Sequence, residues 1–265
     1  MKTPRQSNLK LVEGGAYFHF SIVNCLSKSK ELLNFLSQNS DSMADPLPAL
    51  SLQVDFDGLP LFKSSLTQFW PILGRLCKPL VTVPFVIGLF CGEGKLANIE
   101  EYLHDFVEEM STLQQGPVHI EGHNHPVQVE LSCFICDTPA QAYIKQVKGH
   151  SGHYGCDKCK QKGVWDGKVI FPEVNVTSRS DVHFDEMVDA EHHIGNSPLQ
   201  TLSVGIVSQF PLDYMHLVCL GVTRRLLFFW LKSPVSKGIR IGLCFAHQIS
   251  ANLLGLKEYI PREFS

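Results

Sequence analysis

The chain has 265 residues, of which 44% are hydrophobic and 18% charged, with a formal net charge of −3. That composition is enough for one sizeable core with an inserted lobe and excludes a disordered chain. The weak negative charge excludes a uniformly cationic nucleic-acid coat but leaves room for a local basic patch. Nine cysteines, mostly isolated, and an N-terminus without an apolar h-region point to a reducing compartment, with cysteines buried or metal-bound rather than paired. The longest apolar run, LLFFWL at 226–231, directly follows Arg224 and Arg225. It is far shorter than the roughly 20 residues of a membrane span, so no membrane segment is expected.

In chain order, residues 26–37 read as a short amphipathic helix, and the Ser, Asp and Pro of QNSDSMADPLP as a loop. In ALSLQVDFDG, Leu50, Leu52, Val54 and Phe56 alternate with polar residues, which predicts a strand with one apolar face. LFKSS is a candidate hairpin partner for it, and VTVPFVIGLFCGEGK reads as a buried strand with a glycine-rich turn. NIEEYLHDFVEEMSTL is the clearest helix: Asn98 caps it, Glu100 and Glu101 suit its positive end, and Ile99, Leu103, Phe106, Val107, Met110 and Leu113 form one core-facing stripe. PVHIEGHNHPVQVELSCFICD reads as a hairpin whose second arm points Val127, Val129, Leu131, Cys133 and Ile135 the same way. Pro139 then suits the first turn of a helix, which leaves Asp137 at a strand end just ahead of it. Residues 141–168 carry six lysines against two aspartates, residues 172–200 are polar and loop-like, and DYMHLVCLGVTRRLLFFWL predicts a largely buried helix from Asp213 to about Lys232.

Two Cys-x-x-Cys pairs are present. Cys133 and Cys136 lie in the alternating strand, where residues three apart face opposite ways, so they are expected to be inert rather than ligands. In CDKCKQKG, Cys156 and Cys159 are embedded in polar residues with Gly163 close behind, the pattern of a turn that points two sulfurs at one zinc ion. The remaining ligands are expected among His150 and His153 upstream and His192 and His193 downstream. Spacing does not choose among these; His150 and His193 are the pair carried forward. Asp57 and Asp137 each end a strand and are candidates for holding divalent metal ions, against the plain alternative of turn residues.

Three stretches, DGLPLFKSSLTQFWPIL, CDTPAQAYIKQVKGHSGHYGCDKC and FPLDYMHLVCLGVTRRLL, together resemble the DDE/D transposases of the CACTA (En/Spm-like) group. The likeness is nearer still to the transposase-domain proteins that such elements leave in animal genomes, and it runs in the family's order from about 48 to about 232. The resemblance implies an α/β fold with a partial ribonuclease H-like core, a mixed sheet with helices, an inserted Cys/His zinc-knuckle region and a C-terminal helical part. Residues 1–47 would then be an N-terminal helix and linker, 48–140 the first part of the core, 141–200 the basic zinc-binding insertion and 201–265 a helical segment. By motif, Asp57 and Asp137 correspond to the first two catalytic aspartates, Cys156 and Cys159 to the family's Cys-x-x-Cys, and Asp213 and His216 to its Asp-x-x-His. The implied cofactors are Mg²⁺ or Mn²⁺ at the acids and structural Zn²⁺. The implied partners are DNA, as transposon ends and target, contacted by Lys145, Lys148 and Lys158, and a second copy in a homo-oligomer; the implied location is nuclear. A third acid should lie on a later helix, whereas Glu258 and Glu263 flank a proline in EYIPREFS. The site is therefore expected to be incomplete and inactive, and MKTPRQ reads as the interior of a longer protein. The alternative expectation is a non-catalytic zinc-bearing module for nucleic acid or protein.

Overall fold

A computed structural model describes residues 9–39, 48–61, 66–93, 98–121, 123, 126–234 and 238–259. The chain divides into two units, 1–211 and 212–265. The first begins with strands β1 (Lys10–Val12) and β2 (Gly15–His19), helices α1 (Ile22–Leu26) and α2 (Lys30–Asn39), and strands β3 (Leu50–Phe56) and β4 (Leu59–Pro60). It continues through β5 (Thr67–Lys78), β6 (Phe85–Glu93), α3 (Ile99–Gln115), β7 (Val129–Cys136) and α4 (Thr138–Lys145). A small hairpin of β8 (Val164–Trp165) and β9 (Val169–Ile170) and the one-turn helix α5 (Asp181–Asp185) complete its named elements.

The fold is α/β with a mixed sheet in the order β1-β2-β6-β5-β3-β7, β4 pairing with β5 at the side. Every pairing in this sheet is antiparallel except that of β3 with β7. Leu50, Leu52, Val54 and Phe56 are buried in strict alternation, as the period-2 pattern of β3 predicts. In β7 the same rule fails halfway. The register slips between Leu52 and Gln53, so Ser132 is an extra residue and the inward face passes from Val129 and Leu131 to Phe134 and Cys136. Ile135, expected inside, is 39% exposed. Strand β5 and the β1–β2 hairpin carry no clear sequence signal; Pro71 and Gly74 interrupt β5, which a bulge between Ile72 and Leu73 accommodates. Phe62–Ser65 of the proposed hairpin partner and the turn at 94–97 lie outside the described residues.

Helix α3 lies on the sheet. Asn98 caps it by accepting from Glu100 N at 3.0 Å and Glu101 N at 3.3 Å, and Ile99, Tyr102, Leu103, Phe106, Met110 and Leu113 are buried. Phe56, Phe106 and Phe134 meet at 5.8–6.4 Å between ring centroids, and Phe210 stacks on Phe134 at 4.7 Å. On its outer turns the same helix supplies Glu109, whose carboxylate accepts from His19 Nε2 at 2.8 Å, Ser21 Oγ at 2.6 Å, Ile22 N at 2.8 Å and Val23 N at 3.1 Å. It thereby caps α1 from outside and fixes Ser21, which sits at φ 70°, a conformation that side-chain-bearing residues rarely adopt.

Burial acts to raise the Glu109 pKa, but the bonds from His19, Ser21, Ile22 and Val23 outweigh it and hold the carboxyl below its usual range. A depressed folded pKa stabilises above the unfolded value, about 4.3 for glutamate, and that stabilisation is lost as pH falls through the folded pKa. Glu109→Ala is expected to destabilise the first unit by about 3 kcal/mol at pH 7 by stripping buried donors of their acceptor. Glu109→Gln is expected to lose less, and to flatten the decline in stability below about pH 4. Urea unfolding of the three proteins across pH 3–7 checks both.

Candidate functional site

Strands β3 and β7 stay paired to their last residues, Phe56 opposite Cys136. The next residue on each is an aspartate, so Asp57 and Asp137 leave the same end of the sheet from adjacent parallel strands. Each is half-buried and already accepts one backbone bond: Asp57 Oδ1 from Gly58 N at 2.8 Å, and Asp137 Oδ1 from Ala140 N at 2.8 Å as the N-cap of α4. Gly58 lets the chain pass Trp70, whose ring would stand 2.9 Å from an added Cβ. Burial pushes the neighbouring Cys136 thiol well above its ordinary pKa, with Asp55 and Asp137 adding to the effect. Asp55 and Asp137 thus set negative charge beside this sheet end, although among the described residues the carboxylates of Asp55, Asp57 and Asp137 do not close into a three-ligand cluster.

The second cluster lies between α4 and α5. Cys156 and Cys159 bring their sulfurs to 3.1 Å. The main chain around them is clipped from two sides. Cys159 bridges to Ser178, and Arg179, 3% exposed at its side chain, donates to the carbonyls of Cys159 at 3.0 Å and Cys156 at 3.4 Å and to Asp189 at 2.6 Å. His192 follows in the turn Ala190–His192; it is fully buried and bonds Tyr154 O through Nδ1 at 2.6 Å. Burial pushes its pKa down to about 4, so the ring is neutral. The buried nitrogens His192 Nε2, His193 Nδ1 and Nε2, and His183 Nδ1 have no hydrogen-bond partner. Two thiols and orphaned imidazole nitrogens fit zinc in kind. They are not closed around one point. Among the described residues, the ligand atoms of three or more such side chains lie within 4.8 Å of one another only at His104, Asp105 and Glu108, where Asp105 is already paired with Lys10. His150 and His153 are exposed, and His193 packs its ring edge-on to Phe184 at 4.6 Å; none of His150, His153, His192 and His193 closes a three-ligand set with the sulfurs.

The lysines expected to contact DNA divide. Lys145 is fully buried: it pairs with Asp157, and its ammonium lies 5.2 Å from the ring centroids of both Phe184 and Phe210. A group with no exposed surface cannot meet a phosphate, so its assignment as a DNA contact is corrected. Lys158 is likewise turned inward, donating to Val207 O at 2.7 Å and to Phe210 O. Lys148 is half-exposed and pairs with Glu191 at 3.1 Å. More exposed basic residues lie further on: Lys162, whose ammonium stands 5.4 Å from the Tyr154 ring centroid, and Lys168 flank in sequence Trp165, 67% exposed on the β8–β9 hairpin.

In the second unit, Asp213 Oδ2 and His216 Nδ1 lie 2.6 Å apart, and Asp213 Oδ1 caps the helix by accepting from Met215 N at 2.8 Å and His216 N at 3.1 Å. The helix runs as a π-helical segment Tyr214–Thr223 continued by α6 (Arg224–Lys232). Its extent matches the expectation, but its burial does not: none of its residues is buried, nor any of α7 (Leu243–Gly255). An apolar surface predicts burial only where another surface covers it, and no described element buries this one. By length and composition alone, Tyr214–Lys232 passes for a membrane span, with 19 residues at mean hydropathy 1.2. Against that, an arginine near a span's centre costs about 2.5–3.5 kcal/mol, and Arg224 and Arg225 both sit there.

Burial lowers the Lys145 pKa, against the pull of Asp157. Asp157→Ala, which strands that buried charge, is expected to destabilise the protein by about 3–5 kcal/mol. Lys145→Met paired with Asp157→Leu is expected to recover most of the loss. Thermal unfolding of wild type, single and double variants tests this; a silent Asp157→Ala would show that the ammonium is not confined as described.

A scan against protein-family models finds none that matches the chain, and a search of curated proteins finds no match either.

Proposed function

We propose that the chain is a transposase-derived protein with a divalent-metal site of the DDE/D kind at Asp57 and Asp137, and with a zinc-bearing Cys/His region beside it. The observation that carries the reading is the pairing of Phe56 with Cys136, which sends two aspartates out of the same end of neighbouring parallel strands. The antiparallel meander β3-β5-β6, joined through α3 to the parallel β7, supports a ribonuclease H-like core. In this reading, Asp57 and Asp137 hold Mg²⁺ or Mn²⁺, which supplies charge neutralisation at a scissile phosphate of DNA. The chain's own part is to orient the carboxylates: Gly58 N and Ala140 N each take one oxygen and fix the side chain. Two acids alone under-coordinate a two-ion site, and a reacting group misplaced by about 1 Å already costs about 10²-fold, so the proposed activity is trace at most.

A second reading, a nucleic-acid-binding module without catalysis, is favoured by the β8–β9 hairpin. An exposed indole between Lys162 and Lys168 offers a stacking face beside phosphate-binding charges.

Asp57→Asn and Asp137→Asn keep a side-chain acceptor for the turn and the cap while removing the charge. Each is expected to weaken Mn²⁺ binding, read by electron paramagnetic resonance, by about tenfold or more, as loss of a charged ligand requires. With Mg²⁺ or Mn²⁺, the wild type is expected to nick supercoiled plasmid at trace level only. Robust nicking abolished by Asp57→Asn would mean that another acid of the chain completes the site. Binding to single-stranded DNA is expected to fall steeply with salt, and Lys162→Gln with Lys168→Gln to flatten that slope by about 1.4, from about 0.7 per phosphate contact.

A further inference from the structure

We propose that the zinc ligands are Cys156, Cys159, His153 and His192, and that His150 and His193 are not ligands; this rests on the zinc reading of the Cys/His region given above. What separates the two pairs of histidines is the bond that each ring makes. His153 Nδ1 lies 2.8 Å from Gly163 O, and His192 Nδ1 lies 2.6 Å from Tyr154 O. A carbonyl oxygen only accepts, so in both rings Nδ1 carries a proton and Nε2 is the nitrogen left to face a metal. This is the arrangement of a metal-bound histidine, whose second nitrogen donates to a carbonyl that fixes the tautomer and aims the ring. His192 Nε2 is buried without a partner, an expense that a bound ion removes. His193 bonds through neither nitrogen and is held by ring packing on Phe184.

The supporting carbonyls belong to the knuckle itself. Tyr154 precedes Cys156 by two residues, and Gly163 N returns a bond to His153 O at 2.6 Å, closing the loop that contains both cysteines. Gly163 is required there, since a Cβ would stand 2.4 Å from Val169 Cγ1. Arg179 joins the cysteine carbonyls to Asp189, three residues before His192, so the two halves of the site are tied by main chain and a buried guanidinium. These ties keep both rings on the knuckle loop, and a bound ion would draw the four ligand atoms together, since they are not closed around one point without it. The sulfurs touch at 3.1 Å, whereas two sulfurs each about 2.3 Å from a tetrahedral zinc ion stand about 3.8 Å apart. Rotation of either cysteine about χ1 separates them.

The test uses the whole chain purified without chelator. Wild type is expected to carry about one zinc per molecule. Cys156→Ser, His153→Ala and His192→Ala are each expected to lose zinc to a competing chelator with affinity lowered about 100-fold or more, while His150→Ala and His193→Ala compete as wild type. Because His192 is buried and its alanine variant is open to a folding defect, the deciding measurement is made on unsubstituted protein. Long-range ¹H–¹⁵N correlation spectra of the zinc-loaded chain should show Nδ1–H, Nε2-metal signatures for His153 and His192, and metal-free rings for His150 and His193. A metal signature on His150 or His193, or its absence from His192, overturns the ligand assignment and leaves the zinc reading standing. A wild-type chain that takes up no zinc overturns both.

Discussion

A single ammonium group ties the Cys/His region to the sheet. Lys145 ends α4, the helix that Asp137 begins, and its Nζ sits between Asp157 of the knuckle and the rings of Phe184 and Phe210. Gln141, one turn earlier, donates to the other oxygen of Asp157 at 3.0 Å. Desolvating a cation is expensive unless a carboxylate, hydrogen bonds and π faces replace its water. Here all three are supplied, and each partner comes from a different stretch of chain. The knuckle, the helix that precedes His192 and the segment that packs on β7 therefore meet at one charge, and displacing any of them leaves it unpaired.

The same helix links the two candidate centres. Asp137 caps its N-terminus and Lys145 closes its C-terminal turn, so one short helix runs from the acidic sheet end to the knuckle. Lys145 is thus the contact through which the knuckle bears on the helix that Asp137 caps.

Much of the sheet and one helix were readable from pattern. The alternation of Leu50, Leu52, Val54 and Phe56, the cap at Asn98 and the strand-to-helix transition at Asp137 are local rules, and locally they hold. The failures share a different cause. Ser132 shifts the inward face of β7 because its partner strand fixes the register, and no residue of β7 itself announces a bulge. Strand β5 is not predicted at all, and it carries Pro71 one residue before the point where its register with β6 shifts. Lys145 counted as surface charge because composition cannot see Asp157, Phe184 and Phe210 closing over it. The four histidines were indistinguishable by spacing, since what separates them is a carbonyl brought to two of the rings by tertiary structure.

The two readings of the aspartates, turn residue and metal ligand, need not compete. A carboxylate has about four acceptor positions. Asp137 gives Oδ1 to the cap of α4, and Asp57 gives Oδ1 to Gly58 N. The backbone bond holds the side chain in one orientation and leaves the other oxygen's acceptor positions for a further ligand. An asparagine would accept either of these backbone bonds equally well. Charge is what a second ligand would ask for. Two aspartates that leave neighbouring strand ends carry like charges, and like charges brought close repel. A divalent cation held between them would turn that repulsion into attraction, and this is the physical reason for proposing the end of β3 and β7 as a binding site rather than as two turns.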